Sequence, residues 1–173
     1  MSKNQTSGCC SSGSSCCGEP AGKRELTIDF LYLDLSVCDR CQDTDSSLDE
    51  AIHDVSKVLE ATGVSVKVNK INVLTEEQAQ ALEFVSSPTI RINGVDIQLD
   101  VQESNCDACG DLCGDSVDCR VWTYDGEEFS SPPKALVVEA ILKHVYGTNT
   151  PTTSTAPYVM PENLKRFYAA KQG

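Results

Sequence analysis

Apolar and polar positions repeat with two different periods along the chain, and the order of those periods predicts an α/β domain. From Leu26 to Leu35 the run Leu, Thr, Ile, Asp, Phe, Leu, Tyr, Leu, Asp, Leu is apolar on both alternations, as in a strand covered on both faces. Leu48, Ala51, Ile52, Val55, Val58 and Leu59 then recur by threes and fours, giving one helical stripe that ends at Gly63. Val64, Val66 and Val68 alternate with Ser65 and Lys67, and the pattern resumes at Ile71 and Val73, so a second strand is expected. Thr75 and Gln78 form a capping-box pair that opens a short helix reaching Leu82. Strand and helix in alternation imply a parallel βαβ unit with right-handed crossover. After Ser87 and Pro88, the run Thr89 to Ile92 meets Asn93 and Gly94, which supply the positive backbone angles of a tight hairpin into Val95, Ile97 and Leu99. Ser131, Pro132 and Pro133 mark a further helix start. Leu136, Val137, Ala140, Ile141 and Val145 line one face of that helix, and Gly147 stops it.

The remaining segments lack such periodicity. Residues 1–24 read as a flexible tail rich in Ser, Gly and Cys; residues 25–147 as the domain, with a cysteine-rich, acidic insertion at 102–120 before a short strand at Val121 to Tyr124. Residues 148–173 read as a Thr/Pro linker and a short C-terminal helix presenting Leu164, Phe167 and Tyr168 for docking or binding. A length of 173 residues suits one core, for which 40% hydrophobic residues suffice. With 6% aromatic residues there is little material for a base-stacking or carbohydrate-binding surface. The formal net charge of -12 repels phosphate backbones and anionic lipid, so neither nucleic acid nor membrane is an expected partner. The polar start and the lack of a long apolar run place the protein in the cytoplasm by expectation.

Ten cysteines then change the picture, because reducing compartments disfavour permanent disulfides and favour catalytic or metal-binding thiols. Cys38 and Cys41 form a CxxC where the buried strand enters the long helix. Helix-terminal amides and the macrodipole lower the first thiol's pKa there, so Cys38 is the expected nucleophile and Cys41 the resolving thiol. Arg40 favours a thiolate, whereas Asp39, Asp43 and Asp45 oppose it. Half of a zinc site, or two packed thiols, is the alternative reading of the pair.

The strand and CxxC, Leu48, Asp49 and Glu50 on the following helix, and Pro88 before a hairpin together resemble the thioredoxin-like superfamily over Leu26 to Gly147, outside the insertion. Val37, Asp39 and Arg40 depart from that pattern. The resemblance implies a central mixed sheet flanked by helices, and a cis Ser87–Pro88 bond beside Cys38, which adds Pro88 to the catalytic set. The whole chain resembles poorly characterised bacterial thioredoxin-like proteins associated with arsenic or mercury handling.

Cys106, Cys109, Cys113 and Cys119 place four thiols in the insertion, where Gly110 and Gly114 let the backbone curl. Structural zinc is the first reading; disulfides, an iron–sulfur cluster or a metalloid site are the others. Cys9, Cys10, Cys16 and Cys17 are adjacent pairs on the tail, suited to a soft ion or incidental to a polar tail. His53 and His144 read as structural, Trp122 as packing within the insertion. The expected function is thiol–disulfide oxidoreductase acting on protein or small-molecule thiols and disulfides, with no cofactor required by the dithiol. The alternative is a carrier that binds As(III), Hg(II) or Zn without turnover, and a third reading is an inert adaptor.

Overall fold

A computed structural model of the chain describes residues 24–107, 117–148 and 156–172. Strand β1 (Arg24–Tyr32) leads into helix α1 (Asp39–Ala61), strand β2 (Val64–Asn72) and the six-residue helix α2 (Glu76–Ala81). Strands β3 (Thr89–Ile92) and β4 (Val95–Asp96) follow. Strands β5 (Gln102–Cys106), β6 (Val117–Tyr124) and β7 (Glu127–Phe129) come next, then helices α3 (Lys134–Tyr146) and α4 (Glu162–Gln172). The first four strands form one mixed sheet in the order β2-β1-β3-β4. β1 runs parallel to β2 and antiparallel to β3. β5, β6 and β7 form a second, antiparallel sheet in that order.

Local chemistry accounts for most boundaries. The Gln78 amide donates to Thr75 Oγ1 at 3.2 Å while the Thr75 amide donates to Gln78 Oε1 at 3.3 Å, so the capping box at α2 is complete. Asn93 and Gly94 take φ of 48° and 83°, the left-handed pair that a two-residue hairpin needs between β3 and β4. β4 stops at Asp96, short of the expected Ile97 and Leu99. The Asp96 carboxylate accepts the Gln98 amide at 2.9 Å, turning the chain, and pairs with buried Arg120. Leu99 is left exposed.

α1 and α3 pack on one face of the mixed sheet. Leu26, Ile28 and Phe30 of β1 meet Leu48, Ala51, Val55 and Leu59 of α1 and Val137 and Ile141 of α3 in one buried cluster. On the opposite alternation Thr27 and Asp29 stay half-buried, so β1 is covered on both faces only near its end, where Leu31 and Leu33 enter a second cluster. That second cluster holds Val73, Ala79, Phe84 and Val117, four cysteines, and Met160, Leu164, Phe167 and Tyr168 from the C-terminal segment.

The described parts of the expected insertion, residues 102–107 and 117–120, include two paired antiparallel strands. β5 reads as a loop in the sequence because Gln102 to Asn105 are exposed and polar, yet its backbone pairs with β6 through five residues. β6 begins at Val117, four residues before the expected strand. Trp122 packs into the α1–α3 core, with the Arg120 guanidinium 4.5 Å from its ring, and so belongs to the main domain.

Candidate metal centre

The loop after β1 is shaped by Asp34, whose Oδ1 accepts the Ser36 amide at 2.6 Å and the Ser36 hydroxyl at 2.5 Å. Burial opposes ionisation, but these bonds and the charge of Lys171 hold the Asp34 carboxyl below the ordinary carboxylate range. The turn delivers Cys38 to the N-cap of α1 with an extended backbone, φ -92° and ψ 101°. The Cys41 amide donates both to the Cys38 carbonyl, at 3.0 Å, and to Cys38 Sγ, at 3.4 Å. A sulfur in this position shares that amide with the carbonyl and faces the positive end of a 23-residue helix, both of which favour thiolate, while its full burial opposes it.

Cys41, one turn inward, lies with its Sγ 3.5 Å from Ser87 Oγ. The same hydroxyl oxygen accepts the Leu33 amide at 3.1 Å. The Ser87–Pro88 peptide is cis, the isomer that the resemblance implied.

β6 docks directly on this turn, because the Arg120 amide donates to the Ser87 carbonyl at 2.8 Å. Within the hairpin, Ser104 lies opposite Cys119 and Cys106 opposite Val117, so Cys106 and Cys119 are diagonal neighbours on one face. Arg40, between the two cysteines of the CxxC, holds that hairpin against α1. Its guanidinium donates to Ser104 Oγ at 2.8 Å, to the Asn105 carbonyl at 2.9 Å and to the Cys119 carbonyl at 3.4 Å.

The outcome is a group of three sulfurs: Cys38, Cys106 and Cys119 Sγ all lie within 4.8 Å of one another. Cys38 and Cys119 are fully buried, and Cys106 is 6% exposed. Such a set, in an apolar surround, is able to hold a soft metal ion. Among the described residues no other three ligating side chains come as close.

The expected sites are therefore redistributed. Cys38 and Cys41 sit at the strand-to-helix junction with Pro88 in the adjoining turn. Cys106 and Cys119 join Cys38 in the cluster. Cys109 and Cys113, and Cys9, Cys10, Cys16 and Cys17 of the tail, lie outside the described residues. His53 is exposed on α1, and His144 Nε2 is 3.0 Å from Asn93 Nδ2, where burial lowers its pKa; neither enters the cluster. The sequence reading missed three things: the sharing of Cys38 between pair and trio, the clamp by Arg40, and the position of Ser87 against Cys41. An Arg placed inside the CxxC was the one signal the sequence displayed.

Fold and cluster together define a cysteine-rich, mixed α/β protein whose buried sulfurs can take a metal ion. The family model described as Domain of unknown function (DUF2703) matches residues 26–141, and the chain belongs to that family. No curated protein and no solved structure matches the chain. Among the described residues no helix is long and apolar enough to cross a membrane.

Proposed function

We propose that this protein binds a thiophilic metal or metalloid ion through Cys38, Cys106 and Cys119. The observation that carries the reading is the convergence of three buried sulfurs within 4.8 Å. Three thiolates supply three negative charges, and a buried net charge is costly. A trivalent ion such as As(III) makes a neutral complex in that apolar surround, whereas Hg(II) or Zn(II) leaves one negative charge. Burial therefore favours the trivalent metalloid, and a reducing cytoplasm would keep the ligands available.

Titration of the reduced protein with arsenite, followed by ultraviolet sulfur-to-ion absorption, tests this. One ion per chain is expected. Cys38→Ser, Cys106→Ser and Cys119→Ser should each weaken binding by about 100-fold or more, since losing even a group bonded to a ligand costs roughly 10- to 100-fold. Equal binding by all three variants and the parent refutes the assignment.

A second reading, thiol–disulfide exchange on a thioredoxin-like scaffold, is favoured by the strand order β2-β1-β3-β4 and by the dithiol at the α1 N-terminus beside the Ser87–Pro88 turn. Cys38 thiolate would attack a substrate disulfide and release one thiol. Cys41 would then displace the second, leaving a Cys38–Cys41 disulfide for a cellular thiol to reduce. Full burial of both sulfurs denies a bulky disulfide the line of attack that a small ion does not need, which ranks this reading below ion binding.

A further inference from the structure

The C-terminal helix lies beyond the residues that the family model matches, yet it packs into the apolar core that also holds Cys38, Cys106 and Cys119. Its buried stripe is Asn163, Leu164, Phe167 and Tyr168, while Lys165 and Arg166 face outward. An asparagine on such a stripe is unfavourable unless every polar atom finds a partner on docking. Here each does. Asn163 Oδ1 accepts the Asp118 amide at 3.0 Å, and Asn163 Nδ2 donates to the Asp118 carbonyl at 2.7 Å and to Glu103 Oε1 at 3.2 Å. The side chain thus grips both backbone groups of the residue before Cys119. Glu103 Oε1 in turn accepts the Ser86 hydroxyl at 2.6 Å, beside the turn that carries Ser87.

Farther along, the helix contacts the segment that follows β2. Tyr168 donates to the Val73 carbonyl at 3.0 Å, and Lys171 lies near enough to Asp34, in the loop leading to Cys38, to act on its charge. An eleven-residue helix is about 16 Å long, enough to run from the hairpin that bears Cys106 and Cys119 to the loop that bears Cys38.

We infer that, among the described residues, α4 is the closure of the three-sulfur site, latched by Asn163, and that undocking of this helix opens the sulfurs to reagents and ions. The inference rests on the ion-binding reading for its physiological meaning, but its mechanical content stands on the sulfurs alone. Asn163 is a positioning residue: it fixes the backbone at Asp118 and so the placement of Cys119.

The test uses the full chain, reduced, with Asn163→Asp, Asn163→Ala and the exposed control Lys165→Ala. Alkylation rates at Cys38, Cys106 and Cys119 are read by peptide mass spectrometry, and transfer of bound Cd(II) to a chelator is timed. Asn163→Asp keeps the volume but sets a carboxylate against Glu103. It is expected to raise both rates tenfold or more, Asn163→Ala nearly as much, and Lys165→Ala not at all. Amide exchange separates a latch from general destabilisation: Asp118 and α4 should exchange faster in the Asn163 variants while Ile28, in the other core, keeps its parent rate. Parent-like alkylation in both Asn163 variants, or acceleration matched at Ile28, overturns the inference. Faster alkylation in a protein that retains neither Cd(II) nor As(III) sustains the latch and removes the ion-binding reading instead.

Discussion

Replacing Arg40 distinguishes two roles for the one cation inside the CxxC. Its guanidinium makes two short hydrogen bonds to the β5–β6 hairpin, at 2.8 Å to Ser104 Oγ and 2.9 Å to the Asn105 carbonyl, and a long one to the Cys119 carbonyl at 3.4 Å. For a half-buried cation each short bond is worth about 1 kcal/mol net, so Arg40→Ala should loosen hairpin docking by about 2 kcal/mol, or roughly 30-fold. Because Cys106 and Cys119 ride on the hairpin and Cys38 on α1, that loss falls on the three-sulfur site. As(III) binding should weaken by about 10- to 30-fold, whereas Cys38 and Cys41, both on the same helix end, keep their mutual geometry. Arg40→Lys is the informative partner. It preserves the positive charge two residues from Cys38 in the chain but presents one ammonium in place of a planar fork, which cannot span the same acceptors. Arsenite titration of both variants, with thermal unfolding to confirm folding, decides. A lysine variant that binds like the parent refutes the clamp and shows that charge alone matters.

Two further outcomes follow from the packing and the charges. Arg120 is fully buried and paired with Asp96 at 2.8 Å, with Thr89 Oγ1 at 3.0 Å and the Gln98 carbonyl also accepting from it. Arg120→Ala should cost about 3 to 5 kcal/mol in urea unfolding, the range for breaking a buried pair, and a cost below 1 kcal/mol would contradict it. Asp34 has a lowered pKa in the folded protein, so its stabilisation is complete above the unfolded carboxylate value and disappears as the pH falls through the folded one. Asp34→Asn should therefore lower the urea midpoint at pH 7 and converge with the parent near pH 2. The difference at pH 7 should be under about 1 kcal/mol because the group is largely solvated. A gap that widens on acidification would reverse the assigned sign.

The fold was legible wherever one physical cue dominated. The stripe from Leu48 to Leu59, the alternation from Val64 to Val68, the Thr75–Gln78 box and the Asn93–Gly94 turn each dictate one local structure, and each element is found. Leu164, Phe167 and Tyr168 also recur at helical spacing and are buried on α4. Where tertiary partners decide, the pattern was silent. β5 has four exposed polar residues in five and exists because β6 pairs with it. β4 ends early because a carboxylate at Asp96 serves a buried arginine that lies 24 residues away.

The site was half legible for the same reason. A CxxC at a strand-to-helix junction carries its chemistry in local geometry, since the helix end supplies the amide and the dipole wherever the rest of the chain goes. Cys106 and Cys119 carry none locally. Their meeting depends on a register that sets Ser104 opposite Cys119, and a one-residue slip would turn one of the two sulfurs to the other face. Their meeting with Cys38 depends further on β6 docking against Ser87 and on the Arg40 bonds. One consequence is chemical: Cys38 Sγ belongs to both the dithiol and the trio, and one sulfur cannot at once bridge to Cys41 and ligate an ion. Oxidation of the pair and occupancy of the cluster must therefore exclude each other, so the occupied protein should resist dithiol oxidation and the oxidised protein should bind no ion through Cys38.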